Sequence, residues 1–182
     1  MSVLPPTNIR LHSGIEVSIR AAELRDASGI GALISAVYEN GEGTVSEANE
    51  FQWPLQSIQQ SVEEHGSATN CLMLVAVIDS AVIGLLKFEA GAGRRVAHQG
   101  RFGLWVHPSN RSGGVGRALL STLIGWARTT GIECIRLTVL SDATRAINLY
   151  RSIGFEIEGT CRREVKYAPE SYADQIHMAP FL

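Results

Sequence analysis

The segment Arg111–Ala118 has the residue types and spacing of a phosphate-binding loop. It reads Arg-Ser-Gly-Gly-Val-Gly-Arg-Ala and lies between a strand-like stretch, Phe102–Val106, and a helical stretch that begins at Ala118. Three glycines in four positions let the backbone turn tightly and approach a ligand without a Cβ in the way. The unpaired N–H groups and positive dipole end of the following helix point at the same place. Arg111 and Arg117 can add charge-assisted hydrogen bonds, so the segment predicts a diphosphate site.

Two other kinds of glycine-rich phosphate loop fit this segment poorly. A P-loop NTPase needs Lys-Ser or Lys-Thr after its last glycine, whereas Arg117 and Ala118 follow Gly116. A dinucleotide-binding fingerprint places G-x-G-x-x-G in the first strand-to-helix turn of its domain. Here Leu119 stands at the third glycine position, and the segment lies past the middle of the chain. Neither alternative accounts for the loop.

The pattern R-x-x-G-x-G, formed by Arg111, Gly114 and Gly116, resembles the acetyl-CoA pyrophosphate loop of the GNAT superfamily of N-acetyltransferases. A second segment, Asp142–Phe155, resembles the family's other cofactor-contacting segment through its Leu-Tyr and Gly-Phe pairs. The two motifs stand in the family's order. The similarity extends over nearly the whole chain, from Glu16 to Leu182.

The resemblance implies an α/β fold with a single domain. Its central sheet is expected to be mixed, with helices on both faces and with the family's fourth and fifth strands splayed apart. These two strands correspond to Phe102–His107 and Cys134–Leu140. Residues 15–182 are expected to form the domain, and residues 1–14, which contain Pro5 and Pro6, are predicted to be a flexible tail.

The resemblance also implies that acetyl-CoA is the cosubstrate. The pantetheine would run along the exposed edge of the fourth strand, because its amides need backbone partners. The same N–H groups could steady the oxyanion that forms when an amine attacks the thioester. The expected cofactor contacts lie on this strand, in the glycine loop and near the second motif: Leu104, Trp105, Val106, Arg111, Ser112, Gly113, Gly114, Val115, Gly116, Arg117 and Asn148.

Transfer to an amine needs a proton acceptor, because an alkylammonium ion cannot attack. Glu89, at the end of the third strand in the family's order, and His98, at the start of the fourth, are the candidate bases. Tyr150 matches the tyrosine that many family members use as an acid for the departing CoA thiolate. Its spacing from Ile147 and Ile153 also fits a packed aromatic on a helix face. Asp142 is expected to cap the helix that carries Tyr150.

Composition narrows the range of partners. With 16 basic and 18 acidic residues the net charge is −2, which gives no basic field for nucleic acid or an anionic membrane. No apolar run approaches the roughly 20 residues of a membrane span.

The three cysteines are widely spaced and lack CxxC pairing, as in a reduced, cytoplasmic protein. No metal site is expected. The sequence is silent on oligomeric state, and a homodimer is compatible with it.

The resemblance to the GNAT superfamily implies an N-acetyltransferase that transfers acetyl from acetyl-CoA to a primary amine by direct attack in a ternary complex. A small amine or amino acid is the favoured acceptor, because the closing segment Gly159–Met178 resembles family members that acetylate such molecules. The alternatives are a protein N-terminal or lysine acetyltransferase, and a non-catalytic acetyl-CoA-binding sensor.

Hydrophobic periodicity predicts the helices and strands that position these residues. Helices are predicted at 22–38, 55–65, 113–129 and 143–152. Strands are predicted at 16–20, 71–78, 81–89, 98–107, 134–140, 155–166 and 172–179. The segment Asn40–Trp53 is polar and shows no clear period. Phe51 and Trp53 within it are candidates for a lid over the substrate.

Overall fold

The computed structural model describes residues 4–182 of the chain. This part forms a single eight-stranded sheet covered by four α-helices; the four helices and seven of the strands are those predicted from the sequence, and β1 is additional. The elements in chain order are β1 Thr7–Arg10, β2 Glu16–Ala21, α1 Ala27–Asn40, α2 Leu55–Ser67, β3 Cys71–Ile78, β4 Ala81–Ala90, β5 Gln99–Val106, α3 Val115–Ala127, β6 Cys134–Leu140, α4 Thr144–Arg151, β7 Glu156–Ala168 and β8 Ser171–Ala179.

The sheet has the strand order β1-β2-β3-β4-β5-β6-β8-β7. Neighbouring strands are antiparallel except β5 and β6, which are parallel because α3 carries the chain back between them. The sheet is therefore mixed, as predicted. The predicted strands at 71–78 and 81–89 are β3 and β4, which form an antiparallel hairpin.

The parallel pair separates along its length. β5 and β6 pair at three positions, from Gln99↔Cys134 to Arg101↔Arg136. Beyond these, β5 stays on β4 as far as Gly84↔Val106, while β6 stays on β8 as far as Leu140↔Gln175. The two strands predicted to splay do so, and their facing edges leave backbone N–H and C=O groups available to a ligand.

Apolar side chains fill both faces of the sheet. On one face α3 buries Leu119, Leu120 and Leu123 against the strands, and Tyr150 and Phe155 extend this cluster. On the other face α1 and α2 pack Ile30, Leu33 and Ile58 against a second cluster. The sheet therefore has helices on both faces, as predicted, and the residues of β6 in the core belong to the cluster under α3.

Helix α1 begins at Ala27, five residues later than predicted. The helix begins later because the Asp26 carboxylate is hydrogen-bonded to Arg20 and Glu23. Its carboxylate accepts 2.7 Å hydrogen bonds from both Nη atoms of Arg20 and a 2.8 Å bond from the backbone N–H of Glu23. These bonds hold residues 24–26 in a short 3₁₀ turn ahead of the helix.

The prediction of a flexible tail over residues 1–14 is wrong for its second half. Residues 7–10 form β1, which pairs with β2 at four positions from Thr7↔Ile19 to Arg10↔Glu16. Leu11 is buried in the core, and the backbone N–H of His12 bonds to Gly113 O at 3.4 Å. Pro5 and Pro6 precede the strand rather than interrupt it. The first three residues of the predicted tail lie outside the described residues.

None of the helices within residues 4–182 is long and apolar enough to cross a membrane.

Candidate active site

The gap between β5 and β6 opens into a cleft of about 660 Å³. Its walls come from the separated parts of β5 and β6, the loop before α3, the inner face of α4, the end of α1 and the segment that follows it. The cleft brings together most of the residues predicted to hold the cofactor: Leu104, Trp105, Val106, Arg111, Ser112, Gly114, Gly116, Arg117 and Asn148.

The glycine loop has the backbone geometry that an anion site needs. Gly114 precedes α3 with a φ of 104°, a conformation that glycine adopts without strain. The first helical hydrogen bond of this turn is made by Ala118 to Gly114 O, so the N–H groups of Val115, Gly116 and Arg117 lie ahead of it. These donors and the helix dipole favour a phosphate at the loop.

Gly116 allows a close approach at the base of the cleft. A Cβ at this position would stand 3.1 Å from Leu149 Cδ2 and 3.5 Å from Leu104 Cδ2. The absent side chain therefore leaves space between α3, α4 and β5. Two loop residues contribute differently from the others: the side chain of Val115 is buried in the core, and neither Val115 nor Gly113 is among the residues that line the cleft. Their contribution is limited to the backbone.

Arg111 does not extend a free guanidinium toward a phosphate. Its Nη1 donates to Asn40 Oδ1 at 2.8 Å and to Glu42 Oε2 at 2.7 Å, and its Nε donates to Val106 O at 3.3 Å. The side chain is 15% exposed. Arg111 therefore ties the glycine loop to the end of α1, and the role predicted for its guanidinium is corrected. Arg117 is exposed and donates to Ser152 Oγ at 2.6 Å.

Tyr150 lies on the wall formed by α4. Its ring packs edge-on against Phe102, with 5.9 Å between centroids, and lies tilted by 49° to Phe155, with 5.7 Å between centroids. These two contacts fix its orientation. Burial raises the pKa of the Tyr150 phenol to about 12. The group is therefore protonated at neutral pH and can donate a hydrogen bond into the cleft. Tyr150 is therefore packed against aromatic neighbours, as its spacing predicts, and it also lines the cleft.

Trp105 and Tyr38 line the cleft on the side of α1. The Tyr38 ring is stacked on Phe51, with 3.9 Å between centroids and 7° between planes, and burial raises the pKa of its phenol. Phe51 and Trp53, the predicted lid residues, line a second cavity of about 430 Å³ behind Tyr38 rather than the cleft itself. They support the wall and do not cover the substrate gap.

The structure places both candidate bases away from the cleft. Glu89 pairs with Arg101 at the closed end of the β5–β6 gap, and His98 precedes β5 at the same end. A strand rises about 3.3 Å per residue, so six residues put His98 roughly 20 Å from Leu104. Glu89 is bound instead by Lys87 Nζ at 2.9 Å, which holds the pKa of its carboxyl below the usual value. Neither residue lines the site.

The segment after α1 supplies cleft residues that the sequence did not reveal. Glu42 lines the cleft together with Thr44 and Val45, and its carboxylate lies 2.7 Å from Arg111 Nη1 and 3.6 Å from Arg145 Nη2. Because Arg111 belongs to one wall and Arg145 to the other, the segment crosses the opening. Its polar, aperiodic sequence gave no signal of this position.

Two further positions correct or extend the sequence analysis. The carboxylate of Asp142 accepts a 3.0 Å hydrogen bond from Tyr167 Oη and does not cap α4, whose N-cap residue is Ala143 without a side-chain bond. Gln175 of β8 lines the cleft beside Leu140. A single polar residue in a strand is ordinarily solvated, so the sequence offered no reason to select Gln175.

A model of the acetyltransferase (GNAT) family matches residues 36–155, which include both motifs and the segment that crosses the cleft. The chain belongs to the GNAT family. The L-amino acid N-acetyltransferase of Escherichia coli (strain K12) is similar to this GNAT protein, with 34% identity over 172 residues that cover 90% of this chain and 97% of the relative.

Solved GNAT structures share the fold. A GNAT-family acetyltransferase from Streptococcus pneumoniae superimposes with a TM-score of 0.86 at 25% identity, covering 91% of this chain and 99% of that one. A putative acetyltransferase from Salmonella typhimurium, solved with its cofactor acetyl-CoA, superimposes with a TM-score of 0.80 at 21% identity, covering 91% and 94%.

This protein is therefore an acetyl-CoA-dependent N-acetyltransferase, with acetyl-CoA as its cosubstrate. The cleft fits that molecule chemically. A diphosphate requires converging N–H donors, which the turn before α3 provides. Pantetheine amides require unpaired strand edges, which β5 and β6 provide beyond Arg101. The space left by Gly116 joins the two regions.

Proposed function

We propose that this enzyme acetylates a small primary amine, with free L-amino acids as the preferred acceptors. The observation that carries the proposal is the position of Glu42, which reaches Arg111 on one wall of the cleft and Arg145 on the other. A segment that crosses the opening leaves room for a small molecule and obstructs a folded protein or a long peptide. The similarity to an L-amino acid N-acetyltransferase supports the same acceptor class.

The roles of the cleft residues follow from their chemistry. The N–H groups of Val115, Gly116 and Arg117 would hold the diphosphate, and the free edge of β5 at Leu104–Val106 would hold the pantetheine. Asn148 is exposed on the face of α4 that lines the cleft, and its side chain would form a hydrogen bond with the pantetheine. Trp105 and Tyr38 would contact the acceptor from the side of α1.

Tyr150 would stabilise the CoA thiolate as it leaves. A phenol with a pKa of about 12 is a weaker acid than a thiol, whose pKa is about 8.5, so full proton transfer from Tyr150 is unfavourable. A hydrogen bond donated by the phenol is favourable, because the thiolate is an anion in a partly desolvated site. The proton released by the attacking amine can then neutralise the thiolate.

Acetyl transfer would proceed directly from the thioester to the amine. The thiols of Cys71, Cys134 and Cys161 all lie outside the described lining of the cleft, and burial raises the pKa of the first two. A thiol that lies away from the substrate cannot form an acetyl-enzyme. Initial rates measured over a grid of both substrate concentrations should give intersecting lines, and parallel lines would contradict direct transfer.

Release of free CoA thiol from acetyl-CoA tests the acceptor. The panel should contain free L-amino acids, the amines that lack their carboxylate, and short peptides with the same first residue. We expect the highest kcat/KM with free amino acids. Higher kcat/KM with the peptides would replace the proposal by protein N-terminal acetylation, and thiol release that no acceptor increases would contradict it altogether.

A further inference from the structure

Three arginines line the cleft, and they differ in what their guanidinium groups contact. Arg111 donates three hydrogen bonds to protein acceptors, and Arg117 donates one to Ser152 Oγ. Within residues 4–182 Arg145 makes no hydrogen bond, and its one ion pair, to Glu42 Oε1, has an N···O distance of 3.6 Å. Its side chain is 56% exposed. Arg145 is therefore a cation in the site with its donors available.

The position of Arg145 separates it from the phosphate loop. Arg145 is at the second residue of α4, directly beyond the end of β6, whereas Arg117 meets α4 at Ser152, just after its last residue. Seven residues of helix span about 10 Å. The turn between Arg145 and β6 is held by β8, since Ser141 N–H bonds to Asp174 O at 2.9 Å. The adjacent Gln175 lines the same part of the cleft.

The contact with Glu42 shows that the Arg145 guanidinium can bind a carboxylate. Its carboxylate is held firmly by Arg111 at 2.7 Å and is loosely placed against Arg145 at 3.6 Å. An exposed pair at that separation contributes little stability. A second carboxylate that enters the cleft could form the planar, two-bond contact that a guanidinium makes best, without removing Glu42 from Arg111.

We propose that Arg145 binds the α-carboxylate of the acceptor and thereby selects amino acids over plain amines. This inference rests on the proposed function, because it names the residue that would give the enzyme that preference. A carboxylate anchored at Arg145 would place the neighbouring amino group within the cleft between Trp105 and the free edges of β5 and β6. An amine without the carboxylate would lack this anchor.

The test compares Arg145→Ala with wild type on matched acceptors: an L-amino acid, its carboxamide and its decarboxylated amine. Losing a charge-assisted contact should lower the amino-acid-to-amine ratio of kcat/KM by about ten- to a hundredfold, mainly through the KM of the amino acid. Arg145→Lys should have a higher ratio than Arg145→Ala, because lysine keeps the positive charge but lacks the two parallel N–H groups of the guanidinium. Arg151→Ala is the control, since Arg151 is exposed on the same helix and does not line the cleft.

The outcomes separate this inference from the proposed function. An unchanged ratio in Arg145→Ala, with wild type still preferring amino acids, overturns the role of Arg145 alone. A raised KM for acetyl-CoA with an unchanged ratio shows that the arginine binds a cofactor phosphate and likewise overturns it. A wild-type enzyme that acetylates amines and carboxamides as well as amino acids overturns the acceptor preference itself.

Discussion

The indole of Trp105 lies back over the backbone of Gly103, two residues earlier on the same strand. A Cβ on Gly103 would stand 2.6 Å from Trp105 Cζ3, closer than any real contact allows. Both residues line the cleft on β5. The glycine therefore determines how far the indole can fold against the strand, and with it the depth of the site on the side of α1.

Replacement of Gly103 by alanine should displace the indole into the cleft. We expect a higher KM for the amine acceptor and a smaller effect on the KM for acetyl-CoA, together with a loss of about 1–3 kcal/mol in the free energy of unfolding from overpacking. Steady-state kinetics and chemical denaturation measure the two effects. Gly159→Ala is the matched control, because a Cβ at that strand position meets nothing within 4 Å. An unaltered acceptor KM in a folded Gly103→Ala protein would contradict this role.

Tyr150→Phe should preserve the aromatic packing with Phe102 and Phe155 and remove the hydroxyl alone. We expect kcat to fall about ten- to a thousandfold while the KM for acetyl-CoA and the melting temperature stay near wild type. Tyr167→Phe removes a phenol that bonds to Asp142 outside the cleft and should retain full kcat. Wild-type turnover in Tyr150→Phe would reduce Tyr150 to a packing residue.

Gly116→Val should fill the space between α3, α4 and β5. A Cβ at this position would stand 3.1 Å from Leu149 Cδ2 and 3.5 Å from Leu104 Cδ2, so the rest of the valine side chain would project into the cleft. We expect acetyl-CoA to bind about 5- to 150-fold more weakly, or roughly 1–3 kcal/mol. Isothermal titration calorimetry measures the change. Gly125→Ala, on the exposed face of the same helix with open space around it, should leave the affinity unchanged. Equal affinities for both variants and wild type would place the cofactor elsewhere.

Asp26→Asn should destabilise the protein by about 3 kcal/mol, because it leaves the largely buried guanidinium of Arg20 with only the more distant carboxylate of Glu23, at 3.8 Å. Burial alone would raise the pKa of Asp26, but the bonds from Arg20 and Glu23 N outweigh it and hold the pKa below 3.8. The stabilisation is therefore present above pH 3.8 and is lost as the pH falls through the lower folded-state pKa.

Denaturation of the Asp26 variant across pH should show a stability difference from wild type that shrinks in acid. Glu16→Gln serves as the comparison, since the Arg10–Glu16 pair is 71% and 68% exposed and should contribute less than about 1 kcal/mol. Loss of stability that is equal at every pH would point to packing rather than to charge.

Glu89→Gln and His98→Asn should retain the wild-type rate and its pH profile, because both residues lie at the closed end of the β5–β6 gap. The measurement is kcat/KM for the amine from neutral to alkaline pH. A reduced rate at neutral pH that recovers where the amine is uncharged would reinstate one of them as the proton acceptor.

Local patterns predicted the fold well where they act over short distances. The apolar run of β6 and the glycines before α3 each identify an element and its orientation, and the parallel crossover follows from their order. Side-chain partners across the fold were not predictable in this way. Arg111 and Glu42 are 69 residues apart, and their contact exists because the end of α1 lies over the end of β5.

The difference between local patterns and contacts across the fold also explains why the candidate bases were predicted to lie in the cleft. Glu89 and His98 stand at strand ends, as the sequence indicated, but a strand has two ends and a cleft opens at one of them. The end at which β5 and β6 diverge is set by where α3 begins, beyond Val106. This property belongs to the assembled sheet, and the residues of either strand do not encode it separately.

The short first strand affects how the protein behaves in solution. β1 covers the outer side of β2, whose inward residues Val17 and Ile19 belong to the core. β1 is the edge strand and has only four residues, whereas loss of β1 would expose the edge of the six-residue β2. A longer free edge offers more unpaired backbone groups to another molecule, which is a common beginning of aggregation. Leu11 would also be withdrawn from beside Gly113. Removal of residues 4–13 would therefore reduce solubility and loosen the cofactor loop together.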